Sequence, residues 1–306
     1  MQFFLLIAVT LFAAGIVGAV GLLAIKTFYG ADWDMISGFI SDPENPSAAG
    51  PLKLVQLFNS MAIFLIPAML FSQIMSPNPV TFLRLNKWPS ALTMVLVLVL
   101  FLVFTPITDA LSWLNDNIHL PGFLAGWEDA MRGSTADQQR LIGSFLQMDT
   151  FGDFLYNVFL MALLPALGEE FFFRGVVQRI MLRRTGRVHL SVWITGLAFG
   201  LMHQQFIALI PLTILGALLG YIKEWTGSLW ASILAHFVNN ATIIVVMYFF
   251  GYDMSDVDQL SQPDLLLLIG GIAASGALIF YLFRQRISPL PENDDLDYDL
   301  FDDEGI

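Results

Sequence analysis

Charge is what this 306-residue sequence most lacks. Charged residues make up 13 % of the chain, about half the roughly 25 % of a soluble protein, while 56 % are hydrophobic and 27 are Phe. That shortfall excludes an ordinary water-soluble enzyme. Cysteine is absent altogether, which excludes a disulfide framework, a thiol nucleophile and a thiolate metal site. No internal repeat is visible, which argues against an inverted-repeat transporter. The net charge of −12 is largely local, because eight acids and no base lie between Glu292 and Glu304. Removing those eight leaves −4, so nothing favours a nucleic-acid partner. The acidic tail, residues 289–306, is expected to be disordered, since its like charges repel and little apolar surface offsets the entropy of ordering it.

Long apolar runs are abundant. A helix needs about 20 mostly apolar residues to cross a hydrocarbon core ~30 Å thick. Eight segments qualify, near residues 2–25, 54–75, 89–109, 154–178, 190–205, 206–223, 228–250 and 264–283. The expected fold is all-α, a polytopic transmembrane helical bundle of about eight spans with a polar intramembrane cavity. It divides into N-terminal spans and an outside-facing loop (1–150), a core (151–250), a last span (251–288) and the tail. With both termini cytoplasmic, inside segments hold nine basic residues and outside segments four, as the positive-inside bias requires. The inside set includes the Arg179–Arg187 cluster. This implies an integral, multi-pass protein whose first partner is the lipid bilayer, in the plasma membrane if the chain is bacterial. The outside stretch 111–152 contains an amphipathic run, Asp137 to Met148, that suits an interface helix or a solvated loop equally.

Ionisable groups near a bilayer centre cost roughly 2.5–3.5 kcal/mol on insertion scales, so they are candidate functional residues. Span four reads Leu167-Gly-Glu169-Glu170-Phe-Phe-Phe-Arg174. Glu170 and Arg174 are i, i+4 with the acid first, the favoured order for an ion pair. Glu169 lies about 100° round the helix and is left over. Pro165 cannot donate to the carbonyl of Met161 and is expected to kink the helix just ahead of the acids. Phe199 shares a helix face with His203, and His236 shares another with Asn240. By helix rise Glu169 stands about 15 Å above Arg179, His236 about 13 Å above Gly227, and His203 about 20 Å above the basic loop. Three helices therefore bring polar groups to the middle of the core. The structural alternative is a charge cluster at the inner interface with Arg174 snorkelling to water. His189 lies in the basic loop and has no assigned role.

A carboxylate, two imidazoles and a carboxamide suit hydrolysis by an activated water. Glu169 serves as general base and His203 orients the water. His236 and Asn240 supply donors for a tetrahedral oxyanion. The same Glu169, His203 and His236 form a donor set for a divalent metal such as zinc, although the His-Glu-x-x-His signature is missing. A proton-coupled relay through Glu169 and His236 is the transporter alternative.

Glu169-Glu170-x-x-x-Arg174, Phe199-x-x-x-His203 and His236-x-x-x-Asn240, in that order on successive apolar segments, resemble the three motifs of the CPBP family. This is the family of CAAX prenyl endopeptidases and of bacteriocin-processing and immunity proteins, also called the Abi family. The resemblance covers roughly residues 150–245. It implies an intramembrane endopeptidase in which Glu169 and His203 activate water and His236 and Asn240 form the oxyanion hole. Glu170, Arg174 and Phe199 then support the site. The implied substrate is a peptide or a prenylated or otherwise lipidated protein. Members have been described both as metalloproteases and as glutamate-dependent, which leaves the metal open. A non-catalytic immunity or partner-binding protein of the same fold is the alternative.

Overall fold

The structure is a computed structural model and describes residues 1–42, 45, 47–205, 208–251 and 263–284. Among these residues it is wholly helical. The helices are α1 (Gln2–Tyr29), α2 (Trp33–Ser41), α3 (Ala49–Met75), the single turn α4 (Pro79–Phe82), α5 (Ala91–Asp116) and α6 (Ala125–Phe145). They continue as α7 (Phe151–Thr185), α8 (Val188–Met202), α9 (Leu209–Thr226), α10 (Leu229–Phe250) and α11 (Leu265–Arg284). Six of them, α1, α3, α5, α7, α10 and α11, are long and apolar enough to cross a bilayer. Helices α8 and α9, where the fifth and sixth spans are expected, are not among those six, α8 being the shorter at 15 residues. The acidic tail lies outside the described residues.

Local chemistry sets the ends. Ser90 caps α5 by accepting from the Thr93 N–H, and Thr150 and Asp153 form a reciprocal capping box at the start of α7. Gly186 (φ +60°) and Gly227 (φ +66°) close α7 and α9 in the left-handed conformation that a side chain disfavours. Each reversal therefore takes only a few residues. Around Pro165, where a kink is expected, α7 widens into π-helical turns at Val158–Leu163 and again at Glu170–Val177. A π turn shifts the hydrogen-bond register by one residue, which accommodates the missing proline N–H.

Two apolar clusters flank the middle of the bundle. One joins α3, α4, α7 and α10 through Phe71, Met75, Phe82, Val176, Ile180 and Leu229. The other joins α5, α9 and α10 through Val97, Leu100, Phe101, Leu219, Ile222 and Ala231. Helices α8 and α9 meet along Gly196 and Gly200 on one and Gly216 and Gly220 on the other. A Cβ on Gly196 would stand 2.8 Å from the Ala217 nitrogen, so the backbones touch, as small residues permit inside a membrane.

The amphipathic run of the 111–152 stretch, Asp137 to Met148, is helical as far as Phe145, where α6 ends. Arg132 donates from Nη1 to the Asp116 carboxylate (2.7 Å) and from Nε to Glu128 (2.9 Å), while Glu128 also accepts from the Leu120 N–H (2.8 Å). These bonds tie α6 to the end of α5. The Leu120 amide first, then His119 and Arg132, hold the Glu128 carboxyl down at about 2. The depressed value means that this contribution to docking is complete above the free-glutamate value of about 4.3 and is lost as pH falls towards 2. The protection of α6 amides, taken relative to their intrinsic exchange at each pH, should accordingly fall over that window in the wild type. An E128Q variant should show no such step; equal pH dependence in both would contradict the assignment.

Candidate active site

Helix α7 presents Glu169 and Glu170 in different directions. Glu170 pairs with Arg174, Oε1 to Nη1 at 2.8 Å, and both are fully buried. Arg174 also donates from Nη2 to the Gly216 carbonyl (2.8 Å), and its guanidinium lies 4.6 Å from the Phe199 ring centre. Zero exposure removes the alternative in which Arg174 snorkels to water. Gly216 contributes both its lack of a side chain and its carbonyl, since a Cβ there would also meet Phe199 at 3.2 Å.

Glu169 faces the other way, toward α8 and α10. Its Oε2 lies 3.9 Å from His203 Nε2 and 3.9 Å from His236 Nε2. That oxygen is buried and has no hydrogen-bond partner among the described residues. His203 caps the C-terminus of α8, where Gln204 (φ +55°) turns the chain away. The His203 Nδ1 contacts the Phe199 carbonyl at 2.8 Å, and the His236 Nδ1 contacts Glu170 Oε1 at 2.9 Å. A carbonyl and a carboxylate can only accept, so each Nδ1 carries a proton. In the neutral rings each Nε2 then offers a lone pair toward Glu169. The Nδ1–H of His236 is therefore committed and is not a free oxyanion donor; only Nε2 remains for that purpose. Asn240, one turn beyond His236, accepts at Oδ1 from Asn239 (3.1 Å), and its amide nitrogen stands 3.5 Å from the Met161 carbonyl. That is the carbonyl opposite Pro165. Phe199 underlies the group, with its ring centre 4.7 Å from that of His203 and 5.7 Å from that of His236.

Residues 151–242 match the family model described as type II CAAX prenyl endopeptidase Rce1-like. The CPBP resemblance holds across this segment. YpbD of Bacillus subtilis (strain 168), an uncharacterised protein, is 33 % identical over 89 residues, which are 28 % of this chain and 42 % of that one. The chain thus spans less than half the length of the curated relative it matches. No solved structure matches the chain.

The CPBP-like core brings Glu169, Glu170, Arg174, Phe199, His203 and His236 into mutual contact, while Asn240 stands one turn beyond His236 against Asn239 and the Met161 carbonyl. Two imidazoles that face inward through Nε2 and an unpartnered carboxylate oxygen have the donor chemistry of a zinc site. Their spacing does not fit one. Ligand atoms around tetrahedral zinc at bonds of ~2.0 Å stand about 3.3 Å apart, against 3.9 Å here, and no three His, Cys, Asp or Glu among the described residues form a metal-holding group. A cavity of about 630 Å³ adjoins the core between α6 and the end of α8. Its walls are mainly apolar, with Trp127, Met131, Leu201 and Leu209 among them, and none of Glu169, His203, His236 and Asn240 lines it.

Several polar neighbours of the core were not singled out by the sequence reading. Gln178 donates to the Gly220 carbonyl (3.3 Å) and to Glu224 (2.9 Å), which also holds Lys223 (2.8 Å) and Arg84 (3.2 Å). Glu170, Arg174 and Gln178 recur at intervals of four, opposite Gly216, Gly220 and Glu224 at the same interval. Ser232, fully buried, donates to Glu170 Oε2. Its position four residues before His236 was the available signal.

Proposed function

We propose that the chain is an intramembrane endopeptidase that hydrolyses a peptide bond without a covalent intermediate. The observation that carries this reading is the approach of two imidazole Nε2 atoms, from separate helices, to one unpartnered oxygen of Glu169. Glu169 takes a proton from a substrate water that His203 Nε2 orients by accepting its second hydrogen. The water oxygen attacks the peptide carbonyl carbon. The oxyanion accepts a hydrogen bond from the Asn240 amide and from Nε2–H of His236, which takes up a solvent proton before the substrate enters and keeps it through turnover, its charge balanced by Glu170 across Nδ1. Glu169 then passes its proton to the leaving amine as the carbon–nitrogen bond breaks, which closes the proton balance.

The substrate is a peptide or a lipidated protein reaching the site from within the bilayer, consistent with the family match over residues 151–242. The basic end of α7, with both termini, is cytoplasmic in this reading, and α6 lies on the opposite side. No step is routed through a metal.

Incubating the purified full chain in detergent with a candidate peptide library, with and without a chelator, tests the proposal. The expected result is cleavage at defined internal bonds that the chelator leaves unchanged. Cleavage abolished by the chelator and restored by zinc would make Glu169, His203 and His236 ligands instead of base and orienters. No cleavage of any peptide or lipidated peptide would favour the non-catalytic partner-binding alternative.

A further inference from the structure

Buried hydroxyls in helices usually return a hydrogen bond to their own helix, because a carbonyl one turn back is the nearest acceptor. Thr135, Ser191 and Thr226, all buried, do so, donating to Met131, Val188 and Ile222. Ser232 on α10 does not. Its hydroxyl contacts Glu170 Oε2 on α7 and, at 3.2 Å, the Leu219 carbonyl on α9. A hydroxyl has one proton, and the carboxylate is both the nearer and the charged acceptor, so Glu170 receives it.

The donors to Glu170 then divide between its two oxygens. Oε1 takes Arg174 Nη1 and His236 Nδ1, while Oε2 takes Ser232. Ser232 and His236 lie one turn apart on the same face of α10, so a single helix holds both edges of the carboxylate. Without the hydroxyl, Oε2 has no other hydrogen-bond partner among the described residues. The carboxylate can then turn about its terminal bond and cease to offer His236 Nδ1 a fixed acceptor.

We propose that Ser232 is a positioning residue for His236: by clamping the far oxygen of Glu170 it keeps the imidazole in the Nδ1–H form with Nε2 directed at Glu169. This rests on the endopeptidase reading only for its kinetic consequence. The tautomer and the ring orientation are properties of the resting protein.

The experiment uses full-length protein labelled with ¹⁵N-histidine, as wild type, S232A and S232C, the last keeping nearly the size of serine with a weaker donor. Imidazole nitrogen–proton correlation spectra report which ring nitrogen carries the proton, with His236 assigned by its absence in an H236A sample. The wild type should show Nδ1 protonated. S232A should add a population protonated at Nε2, with S232C between them. In the peptide assay S232A should lose about tenfold in kcat, the scale of one charge-assisted hydrogen bond, while KM stays within about twofold. A His236 spectrum unchanged in S232A and S232C overturns the proposal whether or not any peptide is cleaved. An altered spectrum with no cleavage by the wild type upholds the role of Ser232 and removes the endopeptidase reading. If S232A does not fold, S232C carries the comparison with the same two outcomes.

Discussion

An E169Q variant should lose about 10²–10⁴-fold in peptide-cleavage rate, the range of general-base catalysis, while unfolding at the wild-type temperature. Both halves of that expectation come from the same oxygen. Glu169 Oε2 is buried without a hydrogen-bond partner among the described residues, 3.9 Å from each of the two imidazole Nε2 atoms. An amide of the same shape therefore forfeits no structural bond, yet it cannot take a proton from water. Cleavage rates and thermal unfolding measured on the same preparation check the two together. Activity within a few-fold of wild type would remove Glu169 from the chemistry, and a large drop in unfolding temperature would show that its role is structural.

The adjacent pair should behave in the opposite way. Removing the charge of Arg174 by R174M leaves Glu170 buried with a net negative charge, and breaking a buried pair in this manner costs about 3–5 kcal/mol. Arg174 also gives up its bond to the Gly216 carbonyl and its place 4.6 Å from the Phe199 ring centre. Loss of stability should thus exceed that of any surface substitution and appear as a lower unfolding temperature in detergent. The double variant E170Q/R174M should recover part of the loss, because neither residue then leaves an uncompensated charge. Unfolding of R174M at the wild-type temperature would contradict the burial of the pair.

The two neighbouring glutamates were separable in the sequence because helical spacing alone assigns Glu170 to Arg174 and leaves Glu169 over. The structure has that pairing, at 2.8 Å. Six of the eight apolar segments correspond to the six long apolar helices, while the fifth and sixth fall on α8 and α9. Other features depend on contacts between segments and left weaker traces. Gly216 and Gly220 read as small residues for helix packing, and nothing in their identity shows that their carbonyls receive Arg174 and Gln178. The proline is visible in the sequence, but the π-helical turn that precedes it is not. The protonated nitrogen of each histidine follows from its partner, Phe199 O for His203 and Glu170 for His236, and so requires coordinates.

Cleavage by E169Q, H203A and the double variant E169Q/H203A, set against the wild type with one peptide, bears most directly on the idea that these side chains act on a single water. Groups acting as a unit are strongly non-additive. The double variant should therefore be no slower than E169Q by more than a few-fold. Losses that multiply, with the double variant slower than either single variant by the full product, would mean that Glu169 and His203 work independently and would contradict the account.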